Sequence, residues 1–271
     1  MNIVVTGAEG FIGSGVVPEL EKDHQVHAYT KETGNVVTGF DAPDDADLVI
    51  HLAAQTSSKA AHDDPLTDFE TNVMGTFNML EYARKVKAKF IYPSSQKAVP
   101  EKGEQRGIHG LGKYVAERYV MEYSLSYHVP VIINRFGNLY GPGGDNFFVN
   151  KITKSVVDEK QVEIWGGGDQ SRDILWLDDL VDLLVDQVNN FDLYAQKPMV
   201  VAGGGPENEV SILDILDYFK YTNKRHYPVL VGDKDRNVTD NSDVSEINGW
   251  HPKTPWQEGL DLLKIYYENR S

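Results

Sequence analysis

The chain begins with a short apolar run, Asn2–Thr6, that passes directly into Gly7-Ala8-Glu9-Gly10-Phe11-Ile12-Gly13 and a helical pattern over Phe11–Glu21. No other feature constrains the fold as tightly. A strand, a Gly-x-x-Gly-x-x-Gly turn and a helix in that order let the backbone approach a pyrophosphate and aim helix N–H groups at it. Glycines alone would serve a tight turn equally well. Their place at the first strand, in βα context, points to a dinucleotide.

The alternation continues. Strand candidates are Asn2–Thr6, Gln25–Tyr29, Leu48–Leu52, Lys89–Tyr92 and Pro130–Asn134. Helix candidates include Phe11–Glu21, Pro65–Lys85 and Gly112–Tyr127. Strands alternating with helices read as βαβ units, hence an α/β fold with a doubly wound parallel sheet. After about residue 140 the pattern loosens into Gly-rich loops, helices and short strands. The expected division is a dinucleotide-binding domain over 1–145, joined by segments from 170–205, and a smaller α/β substrate lobe over 146–271.

Composition narrows the class. At 271 residues the chain needs no staple for its core, and with no cysteine it has no thiol nucleophile or zinc–thiolate site. The net charge of −15 argues against a nucleic-acid partner. No apolar stretch reaches the ~20 residues of a membrane span, and Met1 leads straight into the first strand, so the expected location is cytoplasmic.

The end of the second strand reads the adenosine ribose. Here it is Tyr29-Thr30-Lys31: Thr30 and Lys31 suit a 2′-phosphate and favour NADP, whereas Glu32 stands close enough to favour NAD. Asp41 falls where an adenine amino group would be held, or is a turn residue before Pro43.

Further motifs extend along the chain: His51-Leu52-Ala53-Ala54 at what would be a fourth strand, Asn72-Val73-Met74-Gly75-Thr76-Phe77-Asn78-Met79-Leu80-Glu81 on a helix, and Ser94-Ser95 after a fifth strand. Arg135-Phe136-Gly137-Asn138-Leu139-Tyr140-Gly141-Pro142-Gly143 follows, then Gly166-Gly167-Gly168-Asp169-Gln170-Ser171-Arg172-Asp173 and Asn248-Gly249-Trp250-His251-Pro252. In this order they resemble the extended short-chain dehydrogenases/reductases, the NAD-dependent epimerase/dehydratase group. The resemblance implies a Rossmann fold, a nicotinamide cofactor (NADP or NAD) and a nucleotide-diphosphate sugar oxidised at C4 to a 4-keto intermediate. It places the cofactor on Gly7, Gly10, Phe11, Ile12, Gly13, Thr30, Lys31, Asp41, Leu52, Ala53, Ala54, Lys113 and Phe136. It places the substrate on Thr56, Ser95, Asn138 and Arg172, the last two at the diphosphate, where a guanidinium fork matches phosphate oxygens. Arg172 beside Asp173 and Asn138 at a turn also have ordinary structural uses. Trp165, Trp176 and Tyr140 are either pocket-lining aromatics or core.

The family's chemistry uses Ser/Thr, Tyr and Lys, the last two as Tyr-x-x-x-Lys on one helix face. Ser95 and Lys113 match, but the tyrosine position holds His109. Three readings follow. His109 is itself the general acid/base, kept neutral by Lys113; another group does the chemistry; or the chain binds cofactor or nucleotide sugar with little turnover. Ser95 and His109 are only fourteen positions apart, which shortens the loop holding Glu101, Lys102, Glu104, Gln105 and Arg106. Gln96 and Lys97 after Ser95 leave no acidic pair for dehydration. C4 epimerisation therefore leads, ahead of 4-ketoreduction and dehydration. A catalytically impaired binding protein is the alternative of another class, and hydride transfer on a non-nucleotide small molecule a third. A second arginine expected before Gly232-Asp233 is Leu230, with Arg236 or Arg225 as substitutes. The family resemblance also implies a homodimer through helices 65–85 and 112–127.

Overall fold

A computed structural model describes residues 1–39, 41–99, 106–228 and 235–270. Its elements run β1 (Asn2–Thr6), α1 (Gly13–Leu20), β2 (Gln25–Tyr29), β3 (Leu48–His51), α2 (Ser58–Asp63), α3 (Pro65–Phe69), α4 (Gly75–Val86), β4 (Lys89–Ser95), α5 (Gly107–Tyr127), β5 (Val131–Phe136) and β6 (Asn138–Tyr140). They continue as α6 (Phe148–Val157), β7 (Val162–Trp165), β8 (Ser171–Trp176), α7 (Leu177–Asn189), α8 (Phe191–Tyr194), β9 (Met199–Ala202), β10 (Glu209–Ser211) and α9 (Ile212–Tyr218). The last are β11 (Lys224–Tyr227), β12 (Arg236–Asn237), α10 (Ser242–Asn248) and α11 (Trp256–Glu268).

The main sheet has six strands in the order β2-β1-β3-β4-β5-β9. The pairs β1–β2, β1–β3, β3–β4 and β4–β5 are parallel. Strand order reverses between β1 and β3, where an open α/β sheet leaves a crevice at the strands' carboxyl ends. Ile3, Val4 and Val5 and Leu48, Val49 and Ile50 are all fully buried. Such unbroken apolar runs mark strands covered on both faces, and each such side chain contributes about 1.5–3 kcal/mol.

Residues 30–47 form turns and an isolated Asn35–Gly39 bridge among those described, so His51 ends the third strand of this sheet, not a fourth. Ser94 and Ser95 likewise lie in its fourth strand, β4, rather than after a fifth.

The expected helix over Pro65–Lys85 is a continuous helical stretch with a wide π turn at Glu70–Met74. Asp64 caps its start, with Pro65 at the first position, and Lys87 in the left-handed region closes it. The helix expected from Gly112 starts five residues earlier, at Gly107. His109, Gly112, Lys113, Ala116, Glu117, Val120 and Tyr123 form its buried stripe.

The chain divides into two compact units, Met1–Phe136 with Val181–Val200, and Gly137–Leu180 with Val201–Ser271. The first unit's leading segment ends at Phe136, short of the expected residue 145. In the second unit β8 pairs with β10 antiparallel and with β6 and β12 parallel, and β11 pairs with β7. Tyr140, Ile152, Ile164, Trp176, Leu216 and Leu260 belong to its core. No helix among the described residues is long and apolar enough to cross a membrane.

Candidate active site

At the carboxyl end of β1 the glycine turn closes on itself, with Gly10 N donating to Gly7 O (2.9 Å). Gly7 has φ +70°, and a Cβ there would lie 2.6 Å from Ala53 N and 2.8 Å from the Leu52 carbonyl carbon. Only glycine lets the two loops at the sheet's switch point meet. Ile12, at the start of α1, makes no side-chain cap, so no side chain takes the helix's first backbone donors. Gly13 opens α1 and is buried, Phe11 and Ile12 are half-buried and Gly10 is exposed. An uncapped helix behind a glycine cradle fits a pyrophosphate. Leu52, Ala53 and Ala54 are half-buried beyond β3, and Phe136 is buried at the end of β5.

At the end of β2, Thr30 donates to Glu32 Oε2 (3.0 Å) and its hydroxyl accepts from Glu32 N and Thr33 N. Lys31 is exposed. Asp41 is exposed too, and its backbone carbonyl accepts the Tyr29 hydroxyl (2.8 Å).

Beneath the cradle lies a buried chain of hydrogen bonds. The Thr76 hydroxyl donates to Asn72 O (2.8 Å), so it accepts from His51 Nε2 (3.2 Å). That assigns the proton to Nε2 and leaves His51 Nδ1 to accept the Thr6 hydroxyl (2.8 Å), which in turn accepts from Ala53 N. Burial, followed by the charge of Lys113, holds His51 down at about 3, and the ring is neutral.

Beside it, Lys113 Nζ donates to the Pro93 carbonyl (2.9 Å) and lies 4.9 Å from the centroid of the Tyr92 ring. Burial pulls Lys113 down to about 8, against the carboxylates of Asp68 and Glu117. Glu117, one turn further along α5, is fully buried and accepts from Ser94 Oγ (2.6 Å) and from Arg135 Nε and Nη2 (2.9 and 2.7 Å).

His109 occupies the first turn of α5, on the face of Lys113. Burial first, then Lys113 and Lys97, push it down to about 4, so it stands as a neutral imidazole able to accept a proton. Ser95 is half-buried at the end of β4; its Oγ accepts from Lys97 N (3.2 Å), which leaves the hydroxyl proton to donate. The turn Gln96–Ala98 that Ser95 caps packs under α5, where a Cβ on Gly110 would strike the Lys97 carbonyl. Ser95, His109 and Lys113 thus belong to one packed region of the first unit. Thr56 is exposed in the loop after β3.

In the second unit, Asn138 and Arg172 stand on the paired strands β6 and β8. Asn138 Nδ2 donates to Asp173 O (3.2 Å), and Arg172 Nη1 donates to Ser171 O (2.7 Å). Asp173 is buried and binds Gly205 N, which makes it a structural carboxylate. Arg236 is held bidentately by Glu209 (2.8 and 2.7 Å), and Arg225 lies over the Tyr227 ring. Leu230 and Gly232-Asp233, and residues 101–105 of the shortened loop, lie outside the described residues. Tyr140 and Trp176 are core, whereas Trp165 is 42 % exposed and stacks on Tyr227.

Sequence reasoning gave Asp68 and Glu117 no role, and it quoted His51, Asn72 and Thr76 within motifs without assigning them one. Glu117 carries a readable signal, four residues beyond Lys113 on one helix face. Asp68 carries none, because it meets α5 only through the fold.

Comparison with known proteins agrees with this geometry. A model of the NAD dependent epimerase/dehydratase family matches residues 3–203. A putative UDP-glucose 4-epimerase of Methanocaldococcus jannaschii is 26 % identical over 99 % of this chain and 99 % of its own length. That alignment spans 317 positions against 271 residues, so the chain lacks segments that the relative has. UDP-glucuronic acid decarboxylase 1 of Arabidopsis thaliana is 26 % identical over 100 % of this chain and 70 % of its own. The crystal structure of a UDP-glucuronic acid 4-epimerase from Bacillus cereus superposes with a TM-score of 0.88 at 23 % identity, covering 100 % of both chains. The chain belongs to the NAD-dependent epimerase/dehydratase family.

Proposed function

We propose that this chain is a nicotinamide-dependent enzyme that inverts C4 of a nucleotide-diphosphate sugar through a 4-keto intermediate. The observation that carries the reading is the convergence of Ser95, a neutral His109 and a buried Lys113 on one region of the unit that also holds the glycine cradle. The bound cofactor supplies reversible hydride exchange at the sugar C4. His109 takes the C4 hydroxyl proton, Ser95 hydrogen-bonds the same oxygen, and the Lys113 charge steadies the negative charge that develops there. Gly7, Gly10 and the start of α1 hold the pyrophosphate.

An acidic side chain at the end of β2 accepts from a ribose 2′-hydroxyl and repels a 2′-phosphate. Glu32, which accepts the Thr30 hydroxyl, stands there, so NAD is favoured over the NADP suggested by Thr30 and Lys31. Asn138 and Arg172 bind the diphosphate. Both curated relatives described above are named for UDP-sugars, which makes these the first substrates to test.

The active form in this reading is a homodimer through Pro65–Val86 and α5. Leu66, Phe69, Phe77, Leu111 and Tyr119 are 40–63 % exposed on those helices, and a partner's helices would cover them.

Incubation with NAD and a panel of UDP-sugars, followed by proton NMR at C4, tests the function. A new C4 epimer supports it. Loss of the C6 carboxylate as carbon dioxide would instead place the chain with the decarboxylases, and no conversion of any sugar contradicts both.

A further inference from the structure

Two buried ionisable groups face each other across the start of α5. His109 Nδ1 lies 3.7 Å from Asp68 Oδ1, with side chains 7 % and 1 % exposed. Nδ1 is shut off from solvent without a hydrogen-bond partner, an arrangement that costs about 1–3 kcal/mol unless a partner closes on it. Asp68 Oδ1 is in reach of it, and the Gln55 backbone carbonyl also meets the ring and favours its protonation. Asp68 Oδ1 also accepts from Asn72 Nδ2 (2.8 Å), and the Asn72 amide is itself anchored to Gln55 N and O (both 3.0 Å). The π turn Glu70–Met74 carries Asn72 into this position. Gly112 permits the approach of α5, since a Cβ there would stand 2.8 Å from Asp68 Oδ2.

We propose that Asp68 is the positioning residue for His109: its carboxylate holds the Nδ1 proton, so that Nε2 keeps its lone pair for the sugar hydroxyl. This rests on the reading of His109 as the acid/base. A phenol has one reactive oxygen and needs no such partner, whereas an imidazole has two nitrogens, and whichever is bound decides which is free. The 3.7 Å separation exceeds a made N–H···O bond by about 0.8 Å, so the proposed bond requires the two groups to close by that much.

The charges facing His109 favour a neutral ring. Asp68 faces it from α3, Lys113 from its own helix and Lys97 from the turn Gln96–Ala98. Both lysines disfavour the imidazolium, while Lys113 counters the burial that raises Asp68. On α2, only Ala61 is buried, and Lys59, His62 and Asp63 are exposed.

The test pairs nitrogen-15 NMR of the His109 ring with steady-state turnover. The wild type should carry its proton on Nδ1. Asp68→Asn should move the ring toward the Nε2–H form and lower kcat at least about tenfold, with KM within about twofold. In a His109→Tyr background, Asp68→Asn should change kcat less than about twofold, because its partner is gone. Should Asp68→Asn fail to fold, the wild-type tautomer decides alone. An active wild type protonated on Nε2, or an Asp68→Asn variant with ring and kcat unchanged, overturns the positioning role and leaves the enzyme reading intact. If the wild type converts no sugar while Asp68→Asn still shifts the tautomer, the pair stands and the role of His109 as acid/base falls.

Discussion

Arg135 grips Glu117 with two parallel N–H···O bonds of 2.9 and 2.7 Å, and the carboxylate is fully buried one helical turn beyond Lys113. The pair ties β5 to α5 and offsets the charge of Lys113. Removing one partner strands the other charge in the interior, which costs about 3–5 kcal/mol. Glu117→Ala and Arg135→Ala should each lose that much in urea denaturation. A loss below about 1 kcal/mol in both would mean that the pair is not structural.

Gly7 should tolerate no side chain. At φ +70°, 2.6 Å from Ala53 N, an added Cβ meets backbone at the sheet's switch point that has nowhere to move. Gly7→Ala should weaken NAD binding at least about tenfold in calorimetry, a difference of about 1.4 kcal/mol or more. Unchanged affinity would place the cofactor elsewhere.

Much of the fold was readable because parallel strands buried on both faces are written as unbroken apolar runs. β1 and β2 fell on their expected residues, and Lys113 lay four residues beyond His109, which the fold turns into adjacency on one buried stripe. What the sequence did not show depends on tertiary packing. The start of α5 at Gly107 has no capping side chain; Arg106 is instead held by Ala98 O and the Tyr114 ring. The π turn has no local signature, and Asp68, on a separate helix, meets His109 only once α5 docks. On the substrate side, the arginines weighed as replacements for Leu230 are engaged within the chain, Arg236 with Glu209 and Arg225 with Tyr227.

Acid should destabilise the chain through its buried histidines. His51 falls from an ordinary value of 6.5 to about 3, and His109 to about 4. Below pH 6.5 the unfolded chain binds protons that the folded chain refuses. Their contribution is fully present above 6.5 and is lost as pH falls toward 3, at up to about 1.4 kcal/mol per pH unit for each ring. Urea denaturation between pH 7.5 and 4.5 should show a flatter pH slope for His51→Asn than for the wild type. Equal slopes would refute the neutral, buried His51.

Association should depend on the apolar face of Pro65–Val86 and α5. Phe77 and Tyr119 meet edge-on at 5.7 Å and are 40 % and 42 % exposed. Charges placed there, as in Phe77→Asp with Tyr119→Asp, should convert a dimer to a monomer in sedimentation, with the helical signal retained. A wild type that sediments as a monomer would contradict the proposed assembly.

Whether His109 is the working acid/base is tested by setting the wild type beside His109→Tyr, each with NAD and the same UDP-sugars, followed by NMR. The wild type should invert C4 of at least one sugar and His109→Tyr should be slower, because the site around Asp68 and Lys113 is built for an imidazole. A silent wild type beside an active His109→Tyr would contradict that role, and would mean that the fold has kept the site while this chain has given up the chemistry.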